Sequence, residues 1–426
     1  VLDQFKEEIV RLGLDKLESE FAVALSGGSD SLALSLLLNE CFPNKTTSLT
    51  VNHNLRDEST QEANEVQRNA NALGLNHKIL EWKHEDVSSN IHETARHARY
   101  DLLTGYCKAH SIKYLFVGHN KEDVAETFLI NMFRGSGIYG LSSIPTVTIY
   151  NDIKIIRPLL NFRKQELRDY LLEKKCKWIE DPSNFKDRFL RTKIRKLLQS
   201  SAMSDIISDP DLLIDRLALN AKNIARARVE IENLCNDKIA QIVTLHEEGY
   251  LTINYRDFVA LGEEVALKIL CLCLITISGR STHQPRLEAV QRLYESIMLH
   301  STKAKTLCGC EVVLKKDLIF VYREIGKEGL IFKKTSDHAW IWDDRFKIAG
   351  KKASMVKAIE SPSFEDIKEV MHKKYKNIPR KVWKSLPLII TYDNRRYVPF
   401  LNSGVEEGFG VEFIPKMSLG RTSFFD

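Results

Sequence analysis

The sequence predicts an α/β protein: an N-terminal parallel sheet flanked by helices, Rossmann-like in its order, then a mainly helical middle domain, then a small α+β C-terminal domain. Three observations predict it. Short apolar runs alternate with helical patterns through the first 200 residues. A long helical pattern begins near residue 206. From about Lys333 onward, aromatic and β-branched residues and Gly/Pro turns dominate.

Taken in order, Phe21–Leu25 (FAVAL) reads as a buried strand, followed by a Gly turn and the helix Ser31–Glu40. Ser48–Asn52 is a second strand, Thr60–Leu73 a polar helix and His77–Glu81 a third strand. Asn90–Ala109 is helical, Tyr114–Val117 is strand, and Lys121–Phe133 is helical with Ala125, Leu129 and Met132 on one side. Ile153–Ile156 and Arg163–Glu173 repeat the pattern. Beyond residue 205 the helical segments are 206–245, Asp257–Ile277 and Pro285–Leu299, and Glu311–Tyr322 reads as a hairpin around Lys315–Asp317. These patterns set domain boundaries at 1–205, 206–330 and 331–426, within what 426 residues accommodate.

The net charge of +5, from 62 Lys+Arg and 57 Asp+Glu, is unevenly spread. Residues 151–200 carry +7, residues 371–396 carry +7, and the remainder carries −9. In the second segment Lys373, Lys374, Lys376, Arg380, Lys381 and Lys384 interleave with Tyr375 and Trp383. Each basic segment is either a polyanion-binding surface or a solvated face, with Trp383 in the core in the second case. The longest near-apolar run, Val265–Ile277, is too short to span a bilayer and contains Lys268, so it reads as a core helix and no membrane partner is expected. The start Val1-Leu2-Asp3 has no apolar signal core. The eight cysteines include C-x-C but no C-x-x-C pairs, and read as buried free thiols of a cytoplasmic protein.

The chemistry is carried by Ser26-Gly27-Gly28-Ser29-Asp30-Ser31, which follows a strand and opens a helix. Ligands of open α/β sheets bind at the carboxyl ends of strands, and a helix N-terminus offers free N–H groups to phosphate. Gly27 and Gly28 let the backbone approach closely, and the serines add hydroxyls. An acid such as Asp30 belongs in an anion site when a cation, Mg2+ above all, sits there too. The chain has no G-x-x-x-x-G-K-[ST], so the lysine that reaches β/γ-phosphates in a Walker loop is missing from this one.

The S-G-G-x-D-S segment resembles the signature of the PP-loop ATP pyrophosphatases. Further segments narrow the resemblance: Asn52-His53-Asn54-Leu55-Arg56-Asp57, Glu93-x-Ala95-Arg96-x-x-Arg99-Tyr100, Gly118-His119-Asn120-Lys121-Glu122-Asp123 with Glu126-Thr127, Arg134-Gly135-Ser136-Gly137, Arg157-Pro158-Leu159-Leu160, Asp181-Pro182-Ser183-Asn184 and Arg191-Thr192-Lys193-Ile194-Arg195. Together they resemble the tRNA(Ile)-lysidine synthetase family. The likeness is dense over residues 21–200 and continues in order through Trp342-Asp343-Asp344-Arg345-Phe346. Two departures stand out: Glu122-Asp123 replaces a pair of aspartates, and Thr192 replaces an asparagine.

The resemblance implies a ligase that spends ATP with Mg2+ to join free L-lysine to the wobble cytidine of the isoleucine tRNA with a CAU anticodon, through an adenylated cytidine. It implies an ATP-binding catalytic domain over 1–205 and tRNA-recognising domains over 206–330 and 331–426. ATP then falls to Ser26, Gly27, Gly28, Ser29, Asp30, Ser31, Asn52 and His53, and the metal to Asp30 and Asp123. The catalytic groups are Asp30, Asp123, Arg191 and Arg195. Contacts to tRNA or lysine fall to Arg96, His119, Glu126, Arg134, Gly135, Ser136, Gly137 and Lys381. From the residues alone, Glu126 is equally an acid at a helix start, and Arg134–Gly137 equally a helix cap. A PP-loop tRNA thiolase and a non-catalytic tRNA-binding protein remain as alternatives. The first is disfavoured by the absence of cysteine from the Gly-rich and Glu122-Asp123 segments, the second by the retained acids.

Overall fold

A computed structural model of the chain describes residues 1–55, 58–84, 91–179, 190–198, 209–279, 285–324, 331–333, 339–350, 353–358, 378–398, 410–415 and 419. The segment Asp181–Asn184, Arg56 and Asp57, and the basic-segment residues Lys373, Lys374, Tyr375 and Lys376 lie outside the described residues. The chain divides into two compact units, Val1–Val229 and Glu230–Phe424.

In the N-terminal unit the strands are β1 (Phe21–Ala24), β2 (Thr46–Asn52), β3 (Asn76–Glu81), β4 (Tyr114–Phe116), β5 (Val147–Tyr150) and β6 (Ile153–Ile156). Their order is β3-β2-β1-β4-β6-β5. All neighbours pair in parallel except the β5–β6 hairpin. The helices are α1 (Leu2–Arg11), α2 (Ser29–Cys41), α3 (Ser59–Ala72), α4 (Ile91–Ala109), α5 (Lys121–Phe133), α6 (Ile138–Leu141), α7 (Lys164–Glu173) and α8 (Leu190–Leu198). The alternation of β1 explains the two-sided cover. Phe21 and Val23 join one core with α1, α2, α3 and α7, while Ala22 and Ala24 join a second with Tyr100, Leu103 and Cys107 of α4. From β1 the chain turns outward to β2 and later returns to β4 on the other side. The strand order therefore reverses between β1 and β4, which is where such sheets form their ligand crevice.

A third core of this unit packs Val124, Ala125, Phe128 and Leu129 of α5 against Ile194 and Leu198 of α8 and Leu213, Leu217 and Ala221 of α9 (Pro210–Ile242). Met132, expected on the apolar side of α5, is exposed, because that face runs out of partners one turn before the helix ends.

Among the described residues the C-terminal unit holds three antiparallel sheets. The five-stranded one comprises β7 (Val243–His246), β8 (Tyr250–Asn254), β9 (Lys305–Leu307), β10 (Cys310–Lys315) and β11 (Leu318–Arg323), with the hairpin turn at Lys316-Asp317 as expected. It packs on α11 (Glu263–Ser278), which follows the short α10 (Tyr255–Val259), and on α12 (Leu287–Met298). Every residue of α11 from Val265 on is buried, so the apolar run is a core helix. No helix among the described residues is long and apolar enough to cross a membrane. The other two sheets contain β12 (Ile331–Lys333), β15 (Ala353–Ala358), β16 (Pro387–Thr391) and β17 (Arg396–Tyr397), and β13 (Ala339–Trp342), β14 (Phe346–Ala349) and β18 (Gly410–Phe413).

Tyr250, Val313 and Tyr322 share one core with Trp340, Trp342, Phe346 and Trp383, so a cut near residue 331 would open that core. Trp383 is fully buried and its indole N–H donates to Ile378 O at 2.8 Å, which makes it a core residue and not an RNA-facing one. The unit also encloses Asp343 between Arg323 (Nε–Oδ2 3.0 Å) and Arg345 (Nε–Oδ2 2.9 Å). Remaining guanidinium protons go to Gly309 O, Gly249 O and Ser385 O. Burial pushes Arg345 down to about 10, against the pull of Asp343.

Candidate active site

The loop after β1 is built by its own side chains. Gly27 has φ +87°, and a Cβ there would stand 2.6 Å from Val66 Cγ2, so both backbone conformation and space require glycine. Ser31 donates its proton to Gly28 O (3.0 Å) and accepts from Ser26 N (3.1 Å), so the 3.0 Å contact between the Ser26 and Ser31 hydroxyls is donated by Ser26. Ser29 donates to Asp30 Oδ1 at 3.3 Å. These hydroxyls hold the loop's shape.

The segment after β4 meets this loop at the switch point. A Cβ on Gly118 would lie 3.0 Å from both Asp30 O and Ser31 N, so the two loops touch through backbone. Asn120 and Asp123 then start α5 with a reciprocal cap: Asp123 N donates to Asn120 Oδ1 (3.0 Å) and Asn120 N to Asp123 Oδ2 (3.1 Å). The adjacent Glu122 does not join Asp123 at the crevice. Its longer side chain accepts from Lys164 N at 3.0 Å and caps α7.

Behind Asp123 stands a carboxylate between two arginines. Glu126 is buried and accepts from Arg191 Nε (2.9 Å) and from Arg195 Nε (2.7 Å) and Nη2 (3.2 Å). Arg191 Nη2 also reaches Asp123 Oδ1 at 3.2 Å and Thr127 Oγ1 at 3.4 Å. The spacing of four places both arginines on one face of α8, and Ile194 anchors the opposite face in the core. Burial raises the Asp30 carboxyl above its usual range; Lys164 opposes the rise and Asp123 adds to it.

His119 faces a positive field. Burial holds it well below its usual range, reinforced by Arg157, Arg191, Arg99 and Arg96, so its imidazole is neutral. His53, at the end of β2, is lowered to about 4 by burial, then by Arg99 and His84. Arg99 thus acts on both histidines, and Arg96 acts on His119. Asn52 is buried instead between the carboxyl ends of β2 and β3, donating to Thr60 Oγ1 (3.1 Å) and Glu81 Oε2 (3.2 Å) and accepting from Asn54 N (3.2 Å).

Two further expected groups are engaged in other contacts. Arg134, Gly135, Ser136 and Gly137 close the far end of α5: Gly135 N bonds Met132 O and Ser136 N bonds Asn131 O, both at 3.0 Å, with Gly135 at φ +68°. That is a helix cap with an exposed arginine. Lys381 belongs to the C-terminal unit and pairs with Glu311, which also accepts from Tyr322 OH. Sequence reasoning passed over Lys164, whose relation to Asp30 spans 134 residues and has no local signature, and the cap pairing Asn120 with Asp123, for which the N-x-x-D spacing was the available signal.

The donor set fits a magnesium ion. No group of three or more His, Cys, Asp or Glu among the described residues is placed to hold a metal alone. Mg2+ characteristically takes one or two carboxylates and completes its shell with phosphate and water. Asp123 makes the Asp30 carboxylate harder to ionise, and a bound dication would relieve that repulsion. Every thiol of the eight cysteines is pushed up by burial, which argues against a nucleophilic or cluster-binding cysteine and so against the thiolase alternative.

A PP-loop domain family model matches residues 1–201, the segment that builds this crevice. A tRNA(Ile)-lysidine synthase of Orientia tsutsugamushi (strain Boryong) is 32% identical over 430 residues, covering 97% of this chain and 97% of that one. The chain belongs to the tRNA(Ile)-lysidine synthase family. Others are similar: the tRNA(Ile)-lysidine synthase of Anaplasma marginale (strain St. Maries) is 36% identical, covering 78% of this chain and 72% of that one, and that of Wolbachia pipientis wMel is 34% identical, covering 87% and 86%. Membership in the lysidine synthase family makes the chain a ligase that forms a C–N bond, and its PP-loop domain uses ATP.

Proposed function

We propose that the chain joins free L-lysine to the wobble cytidine of the isoleucine tRNA bearing a CAU anticodon, in the cytoplasm. In the first step the cytidine 2-keto oxygen attacks the α-phosphorus of ATP. An O–P bond forms, the Pα–O bond to the β-phosphate breaks, and pyrophosphate leaves with the electron pair. In the second step the unprotonated lysine Nε attacks C2, the C2–O bond breaks, AMP departs and the amine releases a proton.

Backbone N–H groups of Gly27 to Ser31 receive the phosphates, helped by the helix start at Ser29. Asp30 and Asp123 would hold Mg2+, which when bound neutralises charge on the departing pyrophosphate. Arg191 and Arg195, oriented by Glu126, lie beside Asp123 and face charge that develops on the phosphoryl oxygens. Glu126 has both oxygens engaged by guanidinium, so it orients the arginines and does not carry the nucleophile's proton. His53, Arg96 and His119 contribute to a pocket for the cytidine and its phosphates. A wobble base is already single-stranded, so entering such a pocket costs less than leaving a duplex. Arg134–Gly137 and the C-terminal unit, Lys381 included, supply outer contacts to tRNA.

The observation that carries this reading is the meeting of the Gly-rich loop with the Gly118–Glu126 segment at the strand-order reversal, in a chain of this family. Mass spectrometry of nucleosides from a reaction containing isotopically labelled lysine tests it. The label is expected in a modified cytidine, with pyrophosphate released only when tRNA is present and AMP only when lysine is added. Sulfide replacing lysine as the required co-substrate would overturn it. Asp30→Ala is expected to abolish turnover while tRNA binding persists.

A further inference from the structure

We propose that Lys164 supplies from outside the Gly-rich loop the ammonium charge that the loop lacks, contacting the ATP phosphates and the departing pyrophosphate. This rests on the ligase reading above. The loop has no lysine of its own, yet breaking the Pα–O bond leaves pyrophosphate with an added negative charge.

The argument starts from helix register. Glu40, near the C-terminal end of α2, pairs with Lys174 Nζ at 2.7 Å and accepts from Tyr170 OH at 2.9 Å. Lys174 and Tyr170 stand at the C-terminal end of α7, and α2 and α7 follow β1 and β6, which pair in parallel with either side of β4, so the two helices lie side by side and run the same way. Asp30 precedes Glu40 by ten residues and Lys164 precedes Lys174 by ten, about 15 Å along each helix. Lys164 therefore arrives beside Asp30 at the mouth of the phosphate loop.

Independent bonds fix it there. Lys164 N donates to Glu122 Oε2 (3.0 Å), and Lys121 N donates to Phe162 O (2.9 Å), tying the start of α7 to the start of α5. The ammonium is half-buried and not committed to an ion pair among the described residues. Its neighbour Arg163, by contrast, is spent on Asp215 at 2.8 Å and on Asp211. A held but uncommitted lysine beside the acid that faces the phosphates suits a mobile polyphosphate better than a fixed structural partner. The Glu122 departure from the family pair acquires a use here, because its longer arm positions the backbone of Lys164.

The test compares the full chain with Lys164→Met and Lys164→Arg, using tRNA transcript, ATP and lysine. Lys164→Met is expected to slow tRNA-dependent pyrophosphate release roughly 100-fold, the scale for loss of one charge-stabilising donor. Inhibition by added inorganic pyrophosphate should weaken about tenfold while the tRNA dissociation constant stays within about twofold. Lys164→Arg should recover most of the pyrophosphate inhibition. Lys164→Met with wild-type release, or with unchanged pyrophosphate inhibition, would overturn the proposal. The lysine side chain makes no bond that holds α7, so a normal melting curve is expected; should it be lost, the same two constants are read on Lys164→Gln. Wild-type protein that releases no pyrophosphate would instead overturn the ligase reading itself.

Discussion

In the N-terminal unit Glu126 sits between Arg191 and Arg195; in the C-terminal unit Asp343 sits between Arg323 and Arg345. Both carboxylates are about equally sealed, with side chains 2% and 1% exposed. The arginines are not. Arg191 and Arg195 keep 42% and 34% of their side-chain surface, whereas Arg323 and Arg345 keep 1% and 0%. In each trio the guanidiniums outnumber the central carboxylate. In the C-terminal unit the surplus is absorbed by the backbone carbonyls of Gly309, Gly249 and Ser385. In the N-terminal unit Arg191 also bonds Asp123 at 3.2 Å, and both arginines stay partly exposed, where an anionic ligand can reach them. The same ion-pair chemistry is sealed as an internal tie in one unit and left accessible in the other, and the difference lies in what surrounds the arginines.

The largest effect that would break this contrast is on stability. Asp343→Asn leaves two sealed guanidiniums short of their carboxylate and should destabilise the C-terminal unit by about 3–5 kcal/mol. Calorimetry reads it, and an unshifted melt would mean the trio is not a structural tie. Next comes Glu126→Gln, which keeps shape and removes charge. Pyrophosphate release should fall on the order of 100-fold in single-turnover assays because the arginines lose their aim. Its stability cost should be smaller than that of Asp343→Asn, since Arg191 and Arg195 can rehydrate. Equal losses of stability would erase the distinction.

A pH dependence sharpens the comparison further. His53 and His77 are lowered to about 4 by burial, so they stay neutral in the folded N-terminal unit while the unfolded chain takes up protons below about 6.5. Their stabilising contribution is fully present above that value and is lost as pH falls through the window toward 4. The Thr50 hydroxyl donates to Leu25 O at 2.7 Å, so His77 Nε2 must donate to Thr50 (2.8 Å), and the neutral ring carries its proton there. Thermal melts between neutral pH and about 4.5 should show the N-terminal transition falling first. His77→Gln should flatten that slope, and no change would assign the acid sensitivity elsewhere. The smallest effect belongs to Lys381→Ala. Its exposed pair with Glu311 contributes about 0–1 kcal/mol, so stability should barely move. As a phosphate contact it should reduce the salt slope of tRNA binding by about one, and an unchanged slope would return it to ordinary surface.

Much of the N-terminal architecture was legible because short apolar runs there alternate with helical patterns. β5 was not, since Val147–Tyr150 becomes a strand by pairing with β6. In the C-terminal unit Val243–His246 continues the apolar helical pattern of α9, and only its pairing with Tyr250–Ile253 makes it a strand. The helical pattern over Asp257–Ile277 is interrupted at Ala260–Gly262, a break that local periodicity conceals. The expected boundary at 331 runs through a single core, because the tryptophans beyond it find their partners on β8, β10 and β11. At the site, Asp30 and Asp123 were readable from motifs. Glu126 was ambiguous because its partners lie 65 and 69 residues away.

What the sequence determined by itself is chemistry that lives in short contiguous segments: the glycine loop, the Gly118–Asp123 segment, the pair of arginines four residues apart, and the family these segments mark. Such features depend on local backbone geometry, which neighbouring residues set. What only the tertiary structure decided is which charges are spent and which are held open. Glu122 went to a helix cap, Glu126 to two arginines, Asp343 to a sealed trio, and Lys164 to the side of Asp30. Those outcomes depend on burial and on partners brought from distant segments, and an ion's cost and use in a protein are set by its surroundings and not by its place in the chain.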